Sequence, residues 1–201
     1  MTKIICIEGL DGSGKTTVMN KLMEKYEEKG IKALLTSPFL VTPYDVQLKI
    51  DILNSKDHLI ELTGMSNILF RFQDYLKKTI EKNEYDVIVI DRYIPSFFTY
   101  QVYNQEHQTM LSSFLLYKLL SRVKFDIEYY LIVASEENTK SRLCDNIEDD
   151  GDLRSLTIYN ELLEGYKAFF NKGGRACHIL SNDTHCELEN NVSIIFGVKN
   201  A

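Results

Sequence analysis

The stretch Glu8-Gly9-Leu10-Asp11-Gly12-Ser13-Gly14-Lys15-Thr16-Thr17 carries the clearest chemistry in the chain, because it fits the pattern G-x-x-x-x-G-K-[ST]. Phosphate oxygens need many donors in a small space. Gly9, Gly12 and Gly14 let the backbone approach a phosphate closely, so that successive N–H groups, those of Ser13 and Thr17 among them, point inward. Lys15 would reach the β and γ phosphates, and the Thr16 hydroxyl would complete a magnesium shell. A second loaded segment, Asp91-Arg92-Tyr93, ends the apolar run Asp86-Val87-Ile88-Val89-Ile90.

Both segments need a frame. Lys3 to Glu8 reads as a buried strand, and Lys15 to Lys29 has helical spacing through Val18, Leu22, Met23 and Tyr26. Gly30 is a plausible C-cap, and Lys32 to Ser37 reads as a second strand stopped by Pro38. Helices are expected over Asp45 to Leu53 and His58 to Lys82, then a strand over Asp86 to Ile90, with Pro95 breaking the chain before Ser96 to Tyr103. Further along come a helix from His107 to Val123, a strand from Ile127 to Ala134 and a helix from Glu136 to about Cys144. An acidic loop, Asp145 to Asp152, precedes a helix from Leu153 to Phe170; a Gly173-Gly174 turn, a strand from Ala176 to Leu180 and a helix from Cys186 to Phe196 close the chain.

Strands alternating with helices predict an α/β three-layer P-loop NTPase fold on a five-stranded, mostly parallel sheet with helices on both faces. Ligands in such sheets lie beyond the carboxyl ends of the strands. Three of those ends carry chemistry: Gly9 to Thr17, Ser37-Pro38 and Asp91-Arg92.

The 201 residues, 44% of them hydrophobic, suffice for one domain spanning 1–201, and no linker-like stretch divides them. A formal charge of −6 argues against general affinity for nucleic acid. No apolar run approaches a membrane span, and Met1 leads straight into a strand, which predicts a cytoplasmic protein with no membrane partner. Cys6, Cys144, Cys177 and Cys186 form no C-x-x-C pair and read as reduced thiols. Zinc on Cys177 and His178 is disfavoured, because strand neighbours point to opposite faces.

A phosphate loop alone fits many reactions. No N-K-x-D guanine-reading sequence is present, Asp91 is followed by Arg, and motors and transporter subunits are usually larger, which leaves a nucleoside or nucleotide kinase. The sequence resembles the thymidylate kinase family in the phosphate loop, in Asp91-Arg92-Tyr93-Ile94-Pro95-Ser96 with Tyr100-Gln101, and in Tyr159-Asn160-Glu161-Leu162-Leu163-Glu164-Gly165-Tyr166. That resemblance implies transfer of the ATP γ-phosphoryl group to a deoxynucleoside monophosphate, thymidylate being the usual acceptor, with ATP and Mg2+ bound. It assigns Lys15 and Arg92 to the transferring phosphoryl, Thr16 and Asp91 to the metal, and Asp11 to the acceptor sugar. Arg71 would contact the acceptor base, while Ser96, Tyr100 and Gln101 would line the acceptor pocket. A lid near 142–154 would supply Arg142 or Arg154 as a finger in cis, since position 12 is glycine. A homodimer through the His58 to Lys82 helix is implied too, and Ser181-Asn182-Asp183 is where adenine contacts are expected.

The chain departs from the family after the second strand. Leu35 to Pro43 keeps the proline but lacks the usual arginine and glutamate, and Asn67 stands where a base-stacking Phe is expected, with Phe70 or Phe72 as replacements or as core. These departures admit a deoxynucleoside kinase on the same fold, although Thr36 to Thr42 offers no carboxylate base. They also admit a regulatory protein that binds nucleotide without transfer.

Overall fold

The computed structural model describes residues 2–41, 57–103, 110–144, 158–173 and 176–197. The helix expected over 45–53, the acidic loop and Arg154 lie outside the described residues.

Among the described residues, five parallel strands form one sheet in the order β2-β3-β1-β4-β5: β1 (Lys3–Gly9), β2 (Ala33–Thr36), β3 (Val87–Asp91), β4 (Glu128–Val133) and β5 (Cys177–Ser181). The central strand β1 pairs Ile7 with Asp91 on one side and Gly9 with Ile132 on the other. Its side chains alternate between two cores. Ile4 and Cys6 face one core and Ile5 and Ile7 the other, as the two-residue repeat of a strand requires.

The Ile5 and Ile7 face is covered by α1 (Lys15–Glu28) and α8 (His185–Phe196), through Val18, Leu22, Val192 and Ile195. The opposite face receives α3 (His58–Lys82), α4 (Ile94–Phe97), α5 (Met110–Arg122) and α7 (Tyr159–Gly173). The long α3 runs as expected, with the Asp57 carboxylate accepting from the N–H groups of Leu59 and Ile60 at its start. Short α2 (Pro38–Val41) follows β2, and α6 (Glu136–Cys144) follows β4.

One expectation is corrected between 94 and 103. Pro95 does not interrupt the chain; it lies in the first turn of α4, where its missing N–H leaves no helical bond unmade. α4 then widens into a π-helix over Phe98–Tyr103. Such wide turns are rare and cluster at functional sites. This one packs under α7, where a Cβ on Gly165 would come within 2.9 Å of Thr99 Cγ2 and 3.0 Å of the Tyr103 ring.

Candidate active site

The site begins where β1 ends. Gly9 has φ +150°, and a Cβ there would lie 2.4 Å from the Ile132 carbonyl oxygen on β4. The loop therefore leaves the sheet through a gap that only glycine passes. Ser13 N–H donates to the Leu10 carbonyl at 3.2 Å, and α1 starts at Lys15. Its exposed Thr16 and Thr17 stand at the positive end of the helix. Lys15 is only 8% exposed and bends back onto the loop, donating to the Leu10 carbonyl at 3.3 Å with the Asp11 carboxylate 4.0 Å away. Burial first, and the Arg92 guanidinium second, pull its ammonium down to about 8.

Arg92 follows β3 in a left-handed conformation, φ +59°, which is costly for a residue with a side chain. Its own N–H continues the sheet by donating to the Ile7 carbonyl at 3.1 Å, while the next N–H, of Tyr93, donates to Glu8 Oε1 at 2.8 Å. The guanidinium forms an ion pair with Asp11 through Nη2. Nη1 lies 3.4 Å from Tyr100 Oη and 3.3 Å from Tyr166 Oη, and the Tyr100 ring lies 5.6 Å below the guanidinium carbon. Tyr100 is brought to Arg92 by the π-helix, and Tyr166 by α7. Asp11, Lys15, Asp91, Arg92 and Tyr100, separated in sequence, thus form one cluster beyond the ends of β1 and β3.

Arg142 approaches the loop from α6. Its guanidinium donates to the Asn182 carbonyl at 2.9 Å, the Gly12 carbonyl at 3.3 Å and the Asp183 carbonyl at 3.5 Å. Beside it, Asn182 is buried and donates from Nδ2 to the Ser13 carbonyl at 2.8 Å, and Asn191 on α8 donates to the Ser181 carbonyl at 2.7 Å. The Asp183 carboxylate accepts from Ser135 N–H and from Asn138. Gly12 is required here for a second reason: a Cβ at its φ of +75° would sit 2.8 Å from the Thr139 carbonyl and 2.9 Å from Leu143 Cγ. α6 and the β5–α8 turn therefore bracket the phosphate loop on this side.

The remaining expected residues are placed less directly. Ser96 is buried and donates to Glu8 Oε2 at 2.5 Å. Gln101 is buried and donates to Glu61 on α3 at 2.8 Å, while its Oε1 has no hydrogen-bond partner. Arg71 is exposed on α3 and donates to Asn67 at 3.3 Å. Phe72 is wholly buried against Tyr93, with ring centres 5.7 Å apart, and is core. Phe70 lies under the Arg122 guanidinium of α5, at 5.2 Å.

Three residues gain a role that motif reading did not give them. Glu8 is wholly buried, and burial pushes its carboxyl above the ordinary range while the Ser96 hydroxyl, the Arg92 charge and the Tyr93 N–H hold it down. A carboxylate in the penultimate position of an apolar strand was a visible signal, since a buried charge demands partners. Tyr166 and Asn182 gave no comparable signal, because Arg92 lies 74 residues from Tyr166 and Ser13 lies 169 residues from Asn182 in sequence.

A magnesium ion fits the donor set. No group of three or more His, Cys, Asp or Glu side chains able to hold a metal occurs among the described residues. Magnesium that travels with a nucleotide needs no such cage, since it keeps waters and phosphate oxygens and takes one or two protein oxygens. Asp91 Oδ1 is buried with no hydrogen-bond partner, at the strand end nearest the phosphate loop, and is suited to that task with the Thr16 hydroxyl.

Comparison with known proteins agrees with this geometry. The family model described as thymidylate kinase matches residues 7–192. Thymidylate kinase of Mycoplasmopsis agalactiae is 28% identical over 178 residues, covering 83% of this chain and 81% of its own. That of Staphylococcus haemolyticus is 26% identical over 174 residues, covering 83% of each. A crystal structure of thymidylate kinase from Ehrlichia chaffeensis has the same fold, with a TM-score of 0.67 at 19% identity over 98% of both chains. Since residues 7–192 carry the match and contain both the phosphate loop and the Asp91–Arg92 turn, the chain belongs to the thymidylate kinase family and is a nucleoside monophosphate kinase.

Proposed function

We propose that the protein transfers the γ-phosphoryl group of ATP to a deoxynucleoside monophosphate, with dTMP the first candidate. The observation that carries this reading is the joining of the two loaded strand ends: Arg92 pairs with Asp11 across the mouth of the phosphate loop, beside Lys15. Phosphoryl transfer asks a protein for alignment and charge more than for covalent chemistry. Lys15 meets the donor phosphates, Arg92 the transferring group, and Asp11 turns from Arg92 to the acceptor sugar. Thr16 and Asp91 would hold a magnesium ion, whose charge would offset that of the donor phosphates. Ser96 and Tyr100 bound the acceptor side, with Gln101 and Arg71 further along the π-helix and α3.

The lid near 142–154 is part of the same proposal, as is a single kinase domain. Pairing of two copies through α3 is proposed too, with Leu59 and Ile60 more than half exposed at its start. A cytoplasmic location is in keeping with the helices, none of which, among the described residues, is long and apolar enough to cross a membrane.

The test is ATP consumption measured across the deoxynucleoside monophosphates and the free deoxynucleosides, with the product identified. Turnover with dTMP is expected to exceed that with the other monophosphates. Turnover with free deoxynucleosides alone would assign the acceptor hydroxyl to a nucleoside instead. Loss of the charged residues in Leu35 to Pro43 makes that arm of the assay necessary.

A further inference from the structure

The reaction as described uses Lys15, Asp11 and Arg92; of Glu8, Ser96 and Tyr166, only Ser96 has a place in it, at the acceptor side. All three are buried. Three donors converge on the Glu8 carboxylate: Tyr93 N–H at 2.8 Å and Cys6 Sγ at 3.4 Å on Oε1, and Ser96 Oγ at 2.5 Å on Oε2. Ser96 Oγ is also 2.8 Å from Tyr166 Oη, which is 3.3 Å from Arg92 Nη1.

With Glu8 ionised, donor and acceptor chemistry sets the direction of every bond in this line. A guanidinium can only donate and an ionised carboxylate can only accept. Ser96 gives its one proton to Glu8, so its oxygen accepts from Tyr166. Tyr166, having given its proton to Ser96, presents only lone pairs to Arg92. The chain therefore runs one way, from Arg92 through two hydroxyls to Glu8, and each bond polarises the next.

We infer that Glu8 is a positioning residue for Arg92, acting by two arms. One runs through Ser96 and Tyr166 to the guanidinium. The other holds the Tyr93 N–H, and with it the left-handed turn at Arg92. The consequence for catalysis rests on the phosphoryl-transfer reading; the geometry does not.

The substitution Glu8→Gln separates this role from simple space filling. An amide of the same shape has one acceptor and one donor end. If its oxygen keeps the Tyr93 N–H, its nitrogen meets Ser96, whose proton must turn to Tyr166, and Tyr166 then points its proton at Arg92. If the amide is flipped, its nitrogen meets the Tyr93 N–H. Neither orientation serves both arms.

A double-mutant cycle with Glu8→Gln and Tyr166→Phe tests the inference, with thermal melting to verify folding. Misplacement of a group such as Arg92 costs up to about a hundredfold, so E8Q is expected to lower kcat about thirtyfold and Y166F about tenfold. Because both cut one chain, the double variant should be no slower than E8Q alone. Affinity for a fluorescent ATP analogue should change less than about threefold, since uniform binding is untouched. In protein labelled with 15N-arginine, the Arg92 Nη resonances, assigned through Arg92→Lys, should shift in E8Q and in Y166F before any nucleotide is added. A double variant at the product of the single effects, or an E8Q protein with wild-type kcat, would overturn the inference. If the wild type shows no acceptor-dependent turnover, the kinase reading fails by itself, and unchanged Arg92 resonances in E8Q then overturn the positioning role separately. Should E8Q fail to fold, Ser96→Ala cuts the same arm and takes its place in the cycle.

Discussion

Arg92 and Arg142 both reach the phosphate loop, and they are held in different ways. Arg92 is held by side chains: the Asp11 carboxylate, two phenol oxygens and an aromatic face. Arg142 is held by backbone carbonyls, those of Gly12, Asn182 and Asp183. Of the Arg92 partners, the partly exposed Asp11 carboxylate can rotate away when a phosphate arrives while buried Tyr166 stays in place; the backbone carbonyls that hold Arg142 have no such freedom. Arg92 is therefore built to exchange partners, and Arg142 is built as a brace. To act as an arginine finger it would have to leave these carbonyls. We propose that its first task is to clamp α6 and the β5–α8 turn against the loop.

The strongest test of this contrast replaces each arginine in turn. Arg92→Ala should lower kcat by about a thousandfold, in line with loss of a charge that acts on the transferring phosphoryl. Arg142→Ala should lower kcat less than about tenfold while weakening ATP binding and the melting temperature, as for loss of a structural hydrogen-bonded charge. A kcat loss in Arg142→Ala as large as that in Arg92→Ala would establish the finger role expected from the sequence. Steady-state kinetics with ATP titrations, alongside thermal melts, decides between them.

The same contrast has a pH signature of intermediate size. Lys15 sits at about 8 in the free protein, and bound triphosphate raises it by supplying negative charge. Binding above that value must take up a proton, so ATP affinity should fall as pH rises through about 8, by up to about tenfold per unit. Below that value Lys15 is already charged and its contribution is flat. Arg92→Ala should move the break to higher pH, because Arg92 helps to depress Lys15. Arg142→Ala should leave it in place. Calorimetric titration between pH 7 and 9.5 reads both shifts.

Smaller effects probe the brace itself. Gly12→Ala drives a Cβ into the Thr139 carbonyl and Leu143, an overpacking that costs about 1–3 kcal/mol. The melting temperature should drop, and ATP affinity should drop with it as α6 is pushed off the loop. Thr184 caps α8 in a reciprocal capping box with Glu187, so Thr184→Ala should cost about 1 kcal/mol. That change should leave kcat unaltered, since α8 supports the brace and not Arg92. Urea unfolding measures the stability change in each.

Much of the frame was legible in the sequence. β3 and β4 are short apolar runs bounded by polar residues, and α3 runs over the span that its periodicity predicts. The region 94–103 was not legible, because proline early in a helix reads as a breaker and a π-helix has no periodicity of its own to recognise. Cys6 and Glu8 illustrate the boundary. Alternation along β1 places both on the face of α4 and α7, yet the partners of Glu8 lie 85, 88 and 2 residues away.

The sequence by itself determined the phosphate loop, its lysine and glycines, the order of strands and helices, and the resemblance that names the family. Those are local properties: spacing, alternation and a motif that fits within ten residues. Only the tertiary structure decided that Arg92 meets a line of buried hydroxyls ending on a carboxylate of the neighbouring strand, and that Arg142 grips backbone. Pairing of polar groups inside a core depends on which elements meet at a sheet's edge. That meeting is set by packing over the whole chain, and no local pattern carries it.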